Sequence, residues 1–313
     1  MRVLVTGGAG FIGSHTVDLL LAQGHQVAVV DNLSRGQAPQ VSPLARFHEA
    51  DITDGQALRE ILEQERPEAV VHLAAQVDVR TSTKDPVFDA RVNILGSLQV
   101  IECAAAVGAR KVVFASSGGA IYGEPQELPV KEEDKVAPLS PYGVAKRAVE
   151  LYLDLYSSQR GLACTSLRYA NVYGPRQDPT GEGGVVAIFI RNLLLGRPSR
   201  IFGDGEQTRD YVYVGDVAAA NVAALNAADG ATLHIGSGLE TSVNELYVRL
   251  CDLMGVHAPS LREPERPGEV RRSVLDPRRA ADELHWRPDV PLDEGLARTV
   301  EHLARLRSEG RLA

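Results

Sequence analysis

This 313-residue sequence predicts an α/β fold: a doubly wound parallel sheet with a smaller α/β lobe beside it. Three observations predict it. The first half alternates short apolar runs with stretches of helical spacing. The first apolar run breaks into a glycine-rich turn that opens an amphipathic segment. Beyond Arg176 the texture changes to short pieces punctuated by glycine and proline. Such alternation implies βαβ units, because parallel neighbours need a crossover and the crossover is usually a helix.

In chain order, residues 3–5, 27–30, 70–73 and 111–115 read as four buried parallel strands, valine-rich and without polar alternation. Helical spacing around residues 18–21 links the first two. Residues 93–107, rich in Ala, Leu and Val, predict a long crossover helix. The later breaks fall at residues 181–184, 203–205, 236–238 and 266–269. Residues 1–170 are therefore assigned to the sheet domain, and 171–209 with 236–313 to a substrate-binding lobe. Residues 210–228 read as a strand followed by a helix, so 210–235 are expected to return to the first sheet.

Composition narrows the function classes. Hydrophobic residues make up 44% and charged residues 24%, near the soluble globular average, and no apolar run approaches the roughly 18 residues that cross a bilayer. The first residues lack the long apolar stretch of a secretory signal, so a cytoplasmic protein is expected. Cys103, Cys164 and Cys251 stand far apart, outside any CxxC or Cys/His cluster. They read as small buried apolar residues, and no metal site is expected. A formal charge of -8 argues against a duplex nucleic-acid surface, which needs a clustered basic face.

The glycine turn is the first chemical signal. V-L-V-T-G-G-A-G-F-I-G places Gly7, Gly8, Gly10 and Gly13 between a strand and a helix, so both G-x-x-G-x-x-G and G-x-G-x-x-G can be read. Glycines here allow a tight turn and let the backbone approach a pyrophosphate, while the helix start supplies unpaired N–H groups. This is the Rossmann-type fingerprint. Asp31 closes the second strand eighteen residues past Gly13, where a carboxylate can accept from a ribose 2′-hydroxyl and repel a 2′-phosphate. NAD is favoured over NADP, with nearby Arg35 keeping NADP as the alternative.

The second signal is P-Y-G-V-A-K, which puts Tyr142 and Lys146 one helical turn apart on one face. A phenol titrates near pH 10, so it acts as a base near neutrality only where its phenolate is stabilised, as a neighbouring ammonium would do. The strand before it ends in F-A-S-S-G-G-A-I-Y-G, which places Ser116 or Ser117 at the carboxyl edge of the sheet, where ligands bind in open α/β folds.

With these motifs in place the sequence resembles the extended short-chain dehydrogenase/reductase family, most closely its NAD-dependent sugar-nucleotide epimerases of the UDP-glucose 4-epimerase type. TGGAGFIG, DNLS, HLAA, SSGGAIYG, SPYGVAK, LRYANVYGPR and RDYVYVGD carry the likeness in order along nearly the whole chain. The resemblance implies a catalytic set of Ser117, Tyr142 and Lys146, Ser117 being preferred because it lies twenty-five residues before Tyr142. Around the dinucleotide it implies Gly7, Gly10, Phe11, Ile12, Gly13, Asp31, Asn32, Asp51, Ile52, Leu73, Ala74, Ala75, Asn93 and Tyr169, together with Tyr142 and Lys146. One departure is Gly118-Gly119, where many members carry a third Ser or Ala, so the local alignment can slip by one.

On the substrate side the resemblance implies Asn171 at the phosphates and Arg209 on the pyrophosphate, a task suited to a permanently charged fork. Arg266 and Glu269, in R-P-G-E, would hold the second phosphate region and the uridine ribose, with Val185, Phe202 and Tyr211 beside them. Ser273, seven residues beyond Arg266, would gate the sugar 2-substituent; being small, it should admit an N-acetyl group, so UDP-N-acetylglucosamine is expected as a substrate besides UDP-glucose. The implied chemistry is 4-epimerisation: Tyr142 takes the 4-hydroxyl proton, directly or through Ser117, hydride passes from C4 to NAD, and the 4-keto sugar turns over before hydride returns. A sugar-nucleotide 4,6-dehydratase shares this machinery but typically carries an Asp-Glu or Ser-Glu pair where Ser117-Gly118 stands. UDP-glucuronate 4-epimerisation and a non-catalytic NAD-sensing role are the other readings. By the same resemblance, helices at 89–107 and 142–158 would pair with their copies in a homodimer.

Overall fold

The computed structural model describes residues 1–180, 184–265 and 270–312. In chain order the first part contains β1 (Arg2–Thr6), α1 (Phe11–Ala22), β2 (Gln26–Asp31), β3 (Arg46–Glu49), α2 (Gly55–Glu65), β4 (Ala69–His72), α3 (Val79–Lys84), α4 (Pro86–Ala90), α5 (Ser97–Ala106), β5 (Lys111–Ser117), α6 (Gly118–Ile121), α7 (Pro141–Arg160) and β6 (Ala163–Tyr169). The remainder adds β7 (Asn171–Tyr173), α8 (Val185–Leu194), β8 (Arg200–Phe202), β9 (Thr208–Arg209), β10 (Tyr211–Tyr213), α9 (Val214–Ala223), β11 (Thr232–Ile235), β12 (Thr241–Ser242), α10 (Val243–Met254), β13 (Leu261–Glu263), α11 (Arg278–Leu284) and α12 (Leu292–Ser308).

Seven strands form one parallel sheet in the order β11-β6-β5-β4-β1-β2-β3. The chain runs outward from β1 through β2 to β3, then returns to β4 on the other flank of β1. Connections leaving β1 and β4 diverge at this switch point and open a crevice at the carboxyl ends of the strands. Alternation along each strand sends side chains to both faces. Val3, Val5 and Val29 pack with Val17 and Leu20 of α1 and with α9, while Leu4, Val30 and Phe114 pack with Leu58 of α2, Ile101 of α5 and Val149 of α7. The second part has its own core, in which Tyr173, Phe189, Tyr211 and Tyr247 meet edge to face among α8, α10 and α12.

The α/β class and the parallel sheet are those the sequence predicts, and three details differ. The strand ending in Ser116-Ser117 is the fifth in chain order, because β3 (R-F-H-E) is an edge strand with mostly exposed side chains and no apolar run to betray it. The helix expected over 93–107 becomes a regular α-helix only at Ser97; residues 91–96 form a π-helical turn continuing from α4. After Asp210 the strand β10 pairs with β7, and it is β11 that joins the main sheet, beside β6.

Candidate active site

The crevice begins at the turn after β1. Gly7 adopts φ +71, and a Cβ on it would stand 2.7 Å from the Ala74 nitrogen; a Cβ on Gly13 would stand 2.0 Å from the Gly7 oxygen. Helix and turn therefore pack backbone to backbone, with no room for a methyl group. α1 starts at Gly10 with no side-chain cap, so the amides of Phe11, Ile12 and Gly13 sit at the positive end of the helix dipole, a ready anion site. Asp31, buried at the end of β2, accepts from the Ala9 amide at 3.0 Å and the Leu33 amide at 2.9 Å. A carboxylate accepts about four hydrogen bonds, so it retains capacity for a ribose diol. Arg35 reaches Asp78 at 3.6 Å.

The neighbouring strand ends complete this wall. Asn32 donates to Asp51 at 2.7 Å, and Thr53 donates to Asp51 through both its amide (2.8 Å) and its hydroxyl (2.6 Å). Burial pushes the Asp51 carboxyl up, but these hydrogen bonds outweigh it and hold the group below the usual carboxylate range. Ile52 packs under Gly96. Leu73, Ala74 and Ala75 leave β4 beside the turn, the Leu73 amide donating to the Thr6 carbonyl at 3.1 Å and the Ala74 amide to the Thr6 hydroxyl at 3.3 Å. Asn93 is buried, and its amide donates to the Gln76 carbonyl and to Asp89, both at 2.9 Å, while accepting from the Gln76 amide at 2.8 Å. Both its donors are engaged within the chain, so it braces the loop after β4. The Tyr169 hydroxyl donates to Asn221 at 2.5 Å, and Asn221 donates to Thr16 at 3.2 Å, tying β6 to α9 and α1.

On the other wall, Ser140 caps α7 by accepting from the Gly143 amide at 3.2 Å, and Pro141 occupies the first turn. This start fixes Tyr142 and Lys146 on one face at the mouth of the crevice. Lys146 is 3% exposed; its Nζ donates to the Ala115 carbonyl at 2.7 Å and lies 4.8 Å from the Phe114 ring centre and 5.6 Å from that of Tyr142. Burial pushes the ammonium down to about 8, against the opposing pull of Asp89 and Glu150. Burial and the nearby Asp89 push the Tyr142 phenol up, and its hydrogen bond with Ser117 works the other way.

The two serines now separate. Ser117 meets Tyr142, whereas Ser116 donates to Glu150 at 2.6 Å in the protein interior. The glycine pair that follows has a steric cause: a Cβ on Gly118 would stand 2.4 Å from Leu275 Cδ1. Beyond it, Gly119 faces the Asn171 side chain at the exposed start of β7.

Arg209, half-buried on β9, donates to the Thr208 carbonyl at 2.8 Å among its contacts. Asp210 beside it is a buried hub, accepting from the Ser237 amide (2.7 Å) and hydroxyl (2.6 Å) and from the Gly238 and Leu275 amides, both at 3.2 Å. Thr208 bridges Arg272 and donates to the Arg271 carbonyl at 3.0 Å, so Ser273 runs alongside Arg209. Val185 opens α8 and Phe202 ends β8. Tyr211 is buried, its ring set edge to face against Tyr173. Arg266 and Glu269 lie outside the described residues. Among the described residues no group of three or more His, Cys, Asp or Glu could hold a metal.

Sequence reasoning missed four contributors. His72 joins the ends of β4, β1 and α5 through Thr6 (2.7 Å) and Ser97 (2.9 Å), and burial pushes it down to about 3, so it is neutral. Asp89, Glu150 and Asp210 are buried carboxylates. The one available signal was spacing: Tyr142, Lys146 and Glu150 recur every four residues.

An uncapped helix start, a methyl-excluding glycine turn and a carboxylate at the end of β2 fit a dinucleotide with a free ribose diol. Facing it stand a phenol, an ammonium and a hydroxyl suited to moving a proton. Comparison with known proteins agrees. The NAD dependent epimerase/dehydratase family model matches residues 3–236. The UDP-glucose 4-epimerase of Mycolicibacterium smegmatis is 48% identical over 307 residues, spanning 96% of this chain and 98% of that protein. A crystal structure of the Thermotoga maritima UDP-glucose 4-epimerase with UDP-glucose matches with TM-score 0.97 and 48% identity, covering 98% of this chain and 100% of that one. The Thermus thermophilus UDP-glucose 4-epimerase, in complex with NAD, matches with TM-score 0.93 and 45% identity over 96% and 98% of the two chains. The chain belongs to the NAD-dependent epimerase/dehydratase family of extended short-chain dehydrogenases/reductases.

Proposed function

We propose that this chain interconverts UDP-glucose and UDP-galactose as an NAD-dependent 4-epimerase. The observation that carries the reading is Ser117, Tyr142 and Lys146 gathered at the mouth of the crevice that the glycine turn opens. NAD held by that turn and Asp31 supplies a reversible hydride acceptor. The protein's part is proton transfer and orientation. Tyr142 removes the proton from the sugar 4-hydroxyl, with Ser117 bridging; because burial disfavours its phenolate, it depends on the Lys146 ammonium, which stays mostly protonated at neutral pH with a value of about 8. Arg209 anchors the pyrophosphate, leaving the hexose free to present either face. Ser117 is followed by two glycines, so no carboxylate stands there to eliminate water, which favours epimerisation over dehydration.

Ser273 carries a small side chain at the position that the resemblance assigns to the sugar 2-substituent, and we extend the proposal to UDP-N-acetylglucosamine. A second copy covers the apolar stripe of Val144, Leu151, Tyr152 and Leu155 on α7 and the stripe of Phe88 and Leu95, all exposed in the single chain, giving a homodimer. No helix among the described residues is long and apolar enough to cross a membrane, and the three cysteines are free and buried, which suits a cytoplasmic enzyme. Purified protein supplied with a panel of UDP-hexoses and UDP-uronic acids, without added oxidant, tests the reading by NMR. Conversion of UDP-glucose and UDP-N-acetylglucosamine at comparable rates is expected; turnover of the unsubstituted sugar alone would remove the second substrate. Tyr142→Phe should keep NAD and lose at least about a thousandfold in kcat, and near wild-type turnover would sink Tyr142 as the base.

A further inference from the structure

α7 is fastened to three successive residues of β5. Lys146 donates to the Ala115 carbonyl at 2.7 Å, Ser116 donates to Glu150 at 2.6 Å, and Ser117 bonds Tyr142. Glu150 lies one turn beyond Lys146 and two beyond Tyr142. It is fully buried, yet its carboxylate also accepts from Arg168 at 2.8 Å and 2.7 Å and from Arg147 at 3.0 Å. Arg168, 2% exposed, is the register partner of Ser116 on β6 and also donates to the Tyr122 hydroxyl.

A buried ion pair is a poor way to gain stability. Desolvating both ions costs several kcal/mol each, and well-packed apolar residues of similar volume often do as well or better. Stability alone therefore does not account for a carboxylate at this position, whereas its tie to the residue before Ser117 does. We propose that Glu150, clamped by Arg168, is a positioning residue for the reaction: it locks α7 to the end of β5 so that Tyr142 and Lys146 meet Ser117 in register, and it fixes a negative charge one turn from the Lys146 ammonium. This rests on the roles given above to Tyr142 and Lys146.

The charge matters because few groups face Lys146. Asp89 comes from α4 and neutral His72 from β4; β5 offers only the Phe114 ring and the Ala115 carbonyl, and α7 itself supplies Tyr142 and Glu150. Glu150 is one of two carboxylates that favour the ammonium against its burial. Without it, Lys146 loses its proton at lower pH and the Tyr142 phenolate loses its support.

The test is the double variant Glu150→Gln/Arg168→Met, which leaves no unpaired buried charge, studied with NAD bound. It should fold and keep NAD, with the alkaline limb of kcat moved to lower pH by about a few tenths of a unit, since the loss of the Arg168 cation offsets part of the loss of the nearer Glu150 charge. At neutral pH kcat should fall on the order of tenfold, with KM for UDP-glucose within about twofold. Ser116→Ala, which cuts the tie and keeps the charge, should lower kcat without moving the limb. Ultraviolet titration of the double variant against the same variant carrying Tyr142→Phe reads the Tyr142 phenolate without turnover, and it should form at higher pH than in the wild type. A folded double variant with wild-type kcat, alkaline limb and phenolate titration overturns the inference. Should Tyr142→Phe in the wild-type background stay active, the base assignment fails instead, so the two failures are distinguishable.

Discussion

Lys146 should make the cofactor-free protein less stable than it would be with an apolar residue in its place. The side chain is 3% exposed, and burial brings it from 10.5 to about 8. Near pH 7 that difference corresponds to about 3 kcal/mol of destabilisation. Lys146→Met keeps the length of the side chain and loses the hydrogen bond to the Ala115 carbonyl, worth about 1 kcal/mol. The expected net gain is about 2 kcal/mol, with turnover abolished. The pH dependence has a definite sign. Between about 8 and 10.5 the unfolded chain holds the Lys146 proton and the folded chain does not, so wild-type stability climbs relative to the variant as pH rises through that window. By about pH 9.5 the ionisation contribution should have fallen to roughly half its neutral value. Urea unfolding of both cofactor-free proteins at the two pH values measures this. A variant less stable than wild type at both, or a gap that ignores pH, would refute the reasoning.

Three further perturbations follow from the geometry. Gly13→Ala puts a methyl group 2.0 Å from the Gly7 oxygen, so α1 must move off the turn; NAD should no longer raise the melting temperature while far-ultraviolet circular dichroism stays near wild type. Gly118→Ser drives Leu275 off its seat, 2.4 Å from the new Cβ, at a cost of about 1–3 kcal/mol. Because the Leu275 amide is also held by Asp210, the segment carrying Ser273 shifts with it, and KM for the UDP-sugar should rise while NAD affinity holds. Leu151→Glu with Leu155→Glu places charges on the exposed stripe of α7 and should give a folded monomer by sedimentation equilibrium; a dimer of wild-type affinity would place the interface elsewhere.

What could be read from the sequence was whatever a backbone or a single helix imposes locally. The glycine turn was legible because only glycine fits where two backbones touch, and Tyr142 with Lys146 because four-residue spacing sets one face of one helix. β3 was not, since an edge strand open to solvent needs no apolar run. The choice of Ser117 over Ser116 came through the family resemblance alone, because the residues around them do not carry its physical basis. That basis depends on Glu150 and Arg168, thirty-four and fifty-two residues beyond Ser116 respectively, which meet it only once β5, β6 and α7 are packed. Arg168 is the lone cation of β6, C-T-S-L-R-Y, and its need of a buried partner shows only once that strand is placed inside the sheet.

These two kinds of feature divide along the function. In the proposed reading, the phosphate and ribose contacts to the cofactor draw on constraints carried within short stretches: the turn, the uncapped start of α1 and Asp31, all within the first 31 residues. In the same reading, proton chemistry draws on charges assembled across the fold, from Asp89 on α4, Lys146 and Glu150 on α7, and Arg168 on β6. A glycine-turn change should therefore abolish binding while leaving the Tyr142–Lys146 pair intact, whereas the Glu150 cluster should alter turnover and its pH dependence while NAD stays bound. Recognition and reactivity can be varied separately because they enter the crevice from opposite flanks of the switch point between β1 and β4.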